Sequence, residues 1–381
     1  MREMGFMEKL LDGVGVEWKA LGGLVKTVTA PSKLKSQAYC TEGKLPIIDQ
    51  GIDYIAGYTD EDVSAVEAGK YVIFGDHSEH IKYVDFSFVQ GADGIKILRP
   101  ISSNPKYLYY AFENFYKKEM SYKRHWSTAK ETLIPIPYPE NPKKSLEIQA
   151  EIVRILDAMT AHTAELTAEL TTRKKQYNYY RDKLLSFEDG EVEWKELGEI
   201  CRFINGRAYK QPELLDSGKY PVLRVGNFFT NGNWYYSDLE LDPDKYCDKG
   251  DLLYAWSASF GPRIWEGGKV IYHYHIWKIL PDLNLVSKKY LYYLLAWDTE
   301  ALKAESGTGS TMMHIGKGSI EKRLVPVPSL KKQAQIVSFL DKFDALTASI
   351  TEGLPREIEL REKQYAYYRD LLLSFPQAQA A

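Results

Sequence analysis

The sequence predicts a mixed α+β chain in which two globular, strand-rich modules alternate with two long helical segments, the whole forming a circular pseudo-two-fold repeat. Three observations carry this expectation. The stretch Gln176-Tyr177-Asn178-Tyr179-Tyr180-Arg181-Asp182-Lys183-Leu184-Leu185-Ser186-Phe187 returns as Gln364-Tyr365-Ala366-Tyr367-Tyr368-Arg369-Asp370-Leu371-Leu372-Leu373-Ser374-Phe375. Apolar and Tyr positions ahead of each copy fall at heptad-type steps. Between the helical segments lie short apolar runs bounded by Gly, Asp and Pro, the pattern of strands and turns.

The repeat reaches further back. Ile148-Gln149-Ala150-Glu151-Ile152-Val153 pairs with Lys332-Gln333-Ala334-Gln335-Ile336-Val337, and Leu133-Ile134-Pro135-Ile136-Pro137 with Leu324-Val325-Pro326-Val327-Pro328. Val16-Glu17-Trp18-Lys19 pairs with Val192-Glu193-Trp194-Lys195. The regions enclosed by these edges differ in length and show almost no alignment. Two like-built modules with unlike interiors point to one task performed twice on two targets.

In chain order, residues 1–15 echo the end of a repeat helix, so the chain begins where its repeat unit ends and the termini should lie close together. Residues 1–144 form the first globular domain, with one helix expected at Tyr107–Lys118. The Pro-rich run 135–142 reads as a stiff exit that continues neither strand nor helix. Residues 145–190 form a helical spacer whose seam includes Ile152, Leu156, Leu166, Leu170, Tyr177, Tyr180 and Leu184. Its phase slips once, near the duplicated tetrapeptide Thr163-Ala164-Glu165-Leu166, Thr167-Ala168-Glu169-Leu170, as a stutter would make it slip. Residues 191–329 form the second globular domain, with the sheet core expected in 218–232 and 250–279 and a helix at 287–303. Residues 330–381 form the second spacer, with Ile336, Leu340, Phe343, Tyr365, Tyr368 and Leu372 on its seam and a break expected at Gly353 and Pro355, because proline costs about 3 kcal/mol inside a helix. Two such helices in one chain most simply bury their seams on each other. Four helical residues span about 6 Å against about 3.4 Å per base pair, so the tetrapeptide suits a length setting.

Composition bounds the function. No run of 18 apolar residues suggests a membrane span, and acids without an apolar core near the N-terminus argue against a signal peptide. Three cysteines, Cys40, Cys201 and Cys247, fit buried thiols in a reducing cytoplasm. The net charge of −3 is weak for a free-standing nucleic-acid binder, whereas 28 tyrosines favour a recognition surface.

Catalytic chemistry is hard to find. Asn104-Pro105-Lys106 and Asn141-Pro142-Lys143 lack the second proline of an adenine methyltransferase motif, and no Gly-rich loop follows a strand. Asp189 with Glu193-Trp194-Lys195 mimics a nuclease arrangement, but Trp18 and Trp194 read better as packing anchors with solvated neighbours. Asp76-His77-Ser78-Glu79-His80 and His273-Tyr274-His275 lack the further ligands a metal needs, so no metal site is expected.

Polar and basic residues beside aromatics do recur on expected loops of both domains. In the first these are Lys33, Lys35 and Gln37, then His77, then Lys123, Arg124 and His125. In the second they are Arg207, Tyr209 and Lys210, then Arg224 and Asn227, then Ser257, Ser259 and Arg263, then His273, and finally Ser310, Thr311 and Lys317. Arg, Lys, Asn and Gln read base edges, while Ser, Thr and Lys hold phosphates. A scaffold binding proteins or glycans through the same two domains, held apart by a coiled coil, remains the alternative reading.

The repeated residues resemble the specificity subunit of type I restriction–modification systems, most closely the IC-like subfamily. Glu193-Trp194-Lys195, Ile134-Pro135-Ile136-Pro137, the Thr-Ala-Glu-Leu pair, 177–187 and 351–360 carry the likeness. The resemblance implies two target recognition domains on a pair of antiparallel helices forming a coiled coil, each domain reading half of a split, asymmetric DNA site. It implies a non-catalytic chain that binds two modification subunits, which carry S-adenosylmethionine and methylate adenine, and that recruits restriction subunits dependent on ATP and Mg. Those partners would supply much of the phosphate neutralisation, in keeping with the weak net charge.

Overall fold

The computed structural model describes residues 15–188, 190–229, 231–257, 261–305, 314–347 and 353–375. Contacts divide the chain into two compact units, Met1–Leu166 with Ile358–Ala381, and Thr167–Glu357. Each unit therefore holds one globular head together with parts of both spacers. The boundary in the central helix, Pro142–Leu185, falls between the two tetrapeptide copies.

The two heads share a topology that their sequences conceal. In the first head a four-stranded antiparallel sheet runs in the order Val25–Val28, Ile95–Pro100, Tyr71–Gly75, Ile81–Val84. In the second the order is Cys201–Asn205, Ile276–Pro281, Leu252–Ala255, Gly261–Ile264. A second sheet in each head contains one parallel pair, Leu45–Ile48 with Val89–Gln90 and Tyr220–Leu223 with Val270–Tyr272. The interiors of the two like-built modules diverge in sequence, but their strand order does not. Part of the expected sheet core, 225–229, is instead a short helix.

The Pro-rich exit also needs correction. Leu133–Pro137 is a strand, paired antiparallel with Val16–Ala20, and Leu324–Val327 pairs likewise with Glu193–Glu196. Among the described residues each sheet has two strands, so its prolines face no second neighbour, the position in which proline is tolerated. Trp18 faces Pro135 in register and Trp194 faces Pro326. Trp18 packs edge-on against Phe115 at 5.1 Å, whereas Trp194 is exposed, so only the first is an anchor. Pro142 then opens the central helix, with Asn141 Oδ1 accepting the Lys144 amide at 3.1 Å. Asn104 caps the helix Pro105–Phe115 in the same way, accepting from Lys106 and Tyr107. Both Asn-Pro pairs are helix starts.

A latch fixes each head to its spacer, built from a pentapeptide that occurs twice, Lys106-Tyr107-Leu108-Tyr109-Tyr110 and Lys289-Tyr290-Leu291-Tyr292-Tyr293. In the first unit Tyr107 donates to the Pro135 carbonyl at 2.6 Å, Tyr110 to Asp157 at 2.7 Å, and Lys106 pairs with Asp157 at 2.7 Å. In the second, Tyr290 donates to the Pro326 carbonyl at 3.1 Å, Tyr293 to Asp341 at 2.5 Å, and Lys289 pairs with Asp341 at 3.1 Å. The repeated glutamines complete it. Gln149 accepts the Asn104 amide and Gln333 the Ser287 amide, both at 2.8 Å. Gln333 is wholly buried and also donates to the Leu285 and Pro328 carbonyls. Losing it would strand three backbone groups, at about 1–3 kcal/mol each. Tyr107, Tyr290 and Tyr293 are buried in the latches and Tyr254 and Tyr272 in the core, so the tyrosine count reports latches and core packing as much as a recognition surface.

The seams pack within each unit. In the first, Ile152 and Leu156 share a core with Leu372, and Tyr365 packs against it from its partly buried position. Val16 and Phe375, near the two ends of the described chain, join the same core, which gives the circular arrangement its physical meaning. In the second, Ile336 and Leu340 share a core with Leu185, and Tyr177 and Leu184 pack against it. The seam count favoured Leu184, but the fully buried residue is its neighbour Leu185, drawn in by the core of the head. Tyr177 lies 6.3 Å from Phe343, and Tyr180 lies 5.3 Å from Phe339. Rising numbers on one helix meet falling numbers on the other, so this pair is antiparallel. Tyr180 and Tyr368 remain largely exposed, and Leu166 and Leu170 are half-buried.

The expected helix at 107–118 spans Pro105–Phe115, the one at 287–303 spans Lys288–Glu305, and the second spacer comprises Leu330–Thr347 and Gly353–Leu372. Gly353 has φ 77°, left-handed backbone suited to glycine. The N-terminal echo in 1–14 and the tail from Pro376 lie outside the described residues. Among the described residues no helix is long and apolar enough to cross a membrane. Cys201 and Cys247 are buried, and burial pushes the Cys201 thiol up to about 12. Cys40 is exposed, contrary to the expectation of three buried thiols.

Candidate nucleic-acid interface

Matching strand edges place a cation at the same point of each head. Lys33 forms an isolated parallel bridge with Gln90, and Arg207 forms the same bridge with His273. Gln90 and His273 sit at and just beyond the ends of corresponding strands, so two unrelated loop sequences deliver Lys33 and Arg207 to equivalent positions.

In the first head this point begins a polar rim. Lys33 pairs with Asp93 at 2.7 Å, and Asp93 is held below the usual carboxylate range by Lys33, with Arg124 adding to the effect. Gln50 donates to the Asp93 carbonyl at 3.3 Å and accepts the His77 amide at 3.2 Å. His77 stacks on Tyr122 at 5.6 Å. Lys33, His77 and Arg124 thereby come together, with Lys123 next in sequence and exposed. Lys35 and Gln37 are exposed on the Lys33 loop. Tyr122 heads the run Tyr122-Lys123-Arg124-His125-Trp126 that sequence reading picked out, whereas Gln50 and Asp93 were missed, since nothing local distinguishes them from other loop residues.

His125 does not belong to the rim. It is fully buried, with Nδ1 3.5 Å from Glu79 and Nε2 2.7 Å from the Ser121 carbonyl. Burial pushes the Glu79 carboxyl up, but bonds from the Tyr116 hydroxyl and the Glu119 and Met120 amides outweigh it and hold the group below its ordinary range.

In the second head the rim is aromatic. The Arg207 guanidinium lies 5.2 Å from the Tyr209 ring and forks onto Glu213 at 2.7 and 3.0 Å. Tyr209 stacks on His273 at 6.3 Å, and His273 lies 4.9 Å from His275. Trp256 lies 4.9 Å from His275 and 6.0 Å from His314. Burial, then His275 and Arg224, push His273 down to about 4, so its imidazole is neutral at pH 7 and offers both a donor and an acceptor. Arg224 lies 4.3 Å over the Tyr235 ring with its Nε buried and unpartnered. Trp256 and His314 escaped sequence reading, because only the fold brings them beside the His-Tyr-His run to which His275 belongs.

Two of the other expected contacts, Asn227 and Ser257, are structural. Asn227 is buried and donates to the Asn231 and Asn233 carbonyls, closing a turn. Ser257 is buried in a bridge with His314. Arg263 is exposed and donates to the Phe228 carbonyl. Lys317 pairs along its own helix with Glu321 at 3.7 Å, and Lys210 is exposed. Ser259, Ser310, Thr311 and Asp189 lie outside the described residues. Among the described residues no group of three or more His, Cys, Asp or Glu could hold a metal ion.

A family profile described as the type I restriction modification DNA specificity domain matches residues 14–173 and 190–360. The chain is 40% identical to the Escherichia coli type I restriction enzyme EcoR124I/EcoR124II specificity subunit, covering 99% of this chain and 98% of that one. It is 33% identical to a putative type I restriction enzyme specificity subunit of Haemophilus influenzae, covering 97% and 98%. The crystal structure of a type I restriction–modification S subunit from M. genitalium matches with a TM-score of 0.59 at 17% identity, over 97% of this chain and 98% of that one.

Proposed function

The chain belongs to the type I restriction–modification DNA specificity family and is a specificity subunit, and from that premise we propose that each head reads one half of a split, asymmetric DNA site through the rim described above. The observation that carries the reading is the shared bridge, Lys33 to Gln90 and Arg207 to His273. It puts a cation at the same place on two heads whose other rim residues differ, as two readers of different sequences require. Lys33, Lys35, Lys123, Arg124, Lys210 and Lys317 would position phosphates, while His77, Arg207, Tyr209, Arg224 and His273 would face base edges.

The helices would set the gap between half-sites and dock two modification subunits. The duplication supports this reading: Tyr179 and Tyr180 stand exposed by Phe339, and their counterparts Tyr367 and Tyr368 stand exposed in the other unit, where Tyr368 lines a groove with Ile155 and Met159. Two like patches suit two copies of one partner. The chain itself would carry no catalysis. Its modification partners would hold S-adenosylmethionine and methylate adenine, and restriction subunits would bring ATP and Mg.

Salt titration of binding tests the reading. With six or more phosphates contacted, affinity for duplex should fall at least about a thousandfold between roughly 50 and 200 mM salt. Salt-insensitive binding, or selective binding of a protein or glycan instead, would return the chain to the scaffold alternative.

A further inference from the structure

We propose that the loop between Tyr116 and His125 in the first head is a stacking finger, whose Met120 and Tyr122 side chains enter the base stack of the duplex. This rests on the DNA-reading function above and adds both the contact residues and the deformation they impose.

Met120 is 85% exposed and Tyr122 94%, two large apolar groups held out in water on one short loop. Beneath them is a rigid pedestal. Glu79, almost completely buried, accepts the Tyr116 hydroxyl at 2.5 Å, the Glu119 amide at 2.8 Å and the Met120 amide at 2.9 Å. At the far end the His125 amide donates to the Asp76 carbonyl, and the Trp126 amide to the Asp76 side chain, both at 2.8 Å. Glu79 and Met120 both adopt left-handed backbone, φ 57° and 55°, without being glycine. Such conformations persist only where surrounding bonds over-determine them, and they gather at functional clamps. A buried carboxylate and two strained residues thus keep an apolar tip pointing into solvent, an arrangement that makes no contribution to the head's own core.

Charge and position select the occupant. Lys117, Lys118, Lys123 and Arg124 flank the tip in sequence, with Glu119 paired to Lys123 and Asp93 within the field of Arg124. Tyr122 stacks on His77, which joins the finger to the rim that begins at Lys33. Apolar wedges ringed by cations are the means by which proteins grip phosphates and part base steps.

The test uses the full chain with its modification partner and a duplex carrying the methylated sequence mapped in the host, with 2-aminopurine scanned through both half-sites. Binding should raise the fluorescence at one step of one half-site. Changing Met120→Ser with Tyr122→Ser should abolish the rise and weaken binding about tenfold or more, and Tyr122→Ser alone should weaken it in the same direction. Tyr122→Phe should keep both signals, since the ring is what stacks. Unchanged affinity and fluorescence in the Ser variants would overturn the finger while leaving the DNA reading intact, and so would specific binding by the unaltered chain without any fluorescence rise. Loss of the co-purifying modification subunit from the Ser variants would overturn it too, in favour of a protein contact. Absence of salt-dependent binding by the unaltered complex would instead overturn the reading on which the finger rests.

Discussion

Deleting Thr167–Leu170 is expected to shorten the unread gap between the half-sites by about one to two base pairs while leaving both half-sites unchanged. Four helical residues carry about 6 Å of rise and about 40° of net rotation beyond a full turn. On the duplex, about 6 Å is nearly two base pairs, whereas about 40° is close to the twist of one. The duplicated tetrapeptide lies where the two units meet in sequence. The residues removed contribute none of the buried core of either head, so each rim stays as it was. Methylation mapping of the deletion variant reads gap and half-sites together. A change in which bases are read would show that the helix does more than set a distance.

Exchanging residues 16–144 for the corresponding stretch of another family member is expected to replace one half-site completely and leave the other and the gap as they were. The rim residues of the first head, from Lys33 to Arg124, all lie inside that stretch, and those of the second head all lie outside it. The latch sets the condition for success. Gln149 and Asp157 stay with the recipient helix, so the incoming head must bring groups equivalent to Asn104, Lys106 and Tyr110 to meet them. A donor lacking them would leave the Asp157 carboxylate without its two partners and weaken docking by about 1–3 kcal/mol. Altered recognition in both half-sites of a folded exchange would refute the assignment of one head to one half.

The parts legible in the sequence were those governed by local periodicity. The heptad seam placed Ile152, Leu156, Ile336, Leu340 and Leu372 in buried cores because helical spacing alone decides which face they share. What depends on chain segments meeting across the fold was harder to read. Leu133–Pro137 is a strand because Val16–Ala20 pairs with it on one side only, a circumstance no local rule reveals. His125, Asn227 and Ser257 have the chemistry of DNA contacts and are buried, since exposure is a tertiary property. The repeated Lys-Tyr-Leu-Tyr-Tyr was present in the sequence, yet it lay within interiors that otherwise fail to align. Its meaning depends on Asp157 and Asp341, some 50 residues downstream in each case.

Two heads of one topology are expected to read two different sequences held at a fixed separation. Mapping methylated adenines in DNA from a host that carries this chain with its modification partner tests this expectation most directly. The expected outcome is a bipartite, asymmetric sequence with an unread gap and a methylated adenine in each half. A continuous sequence without a gap, or two identical halves in palindromic order, would contradict it.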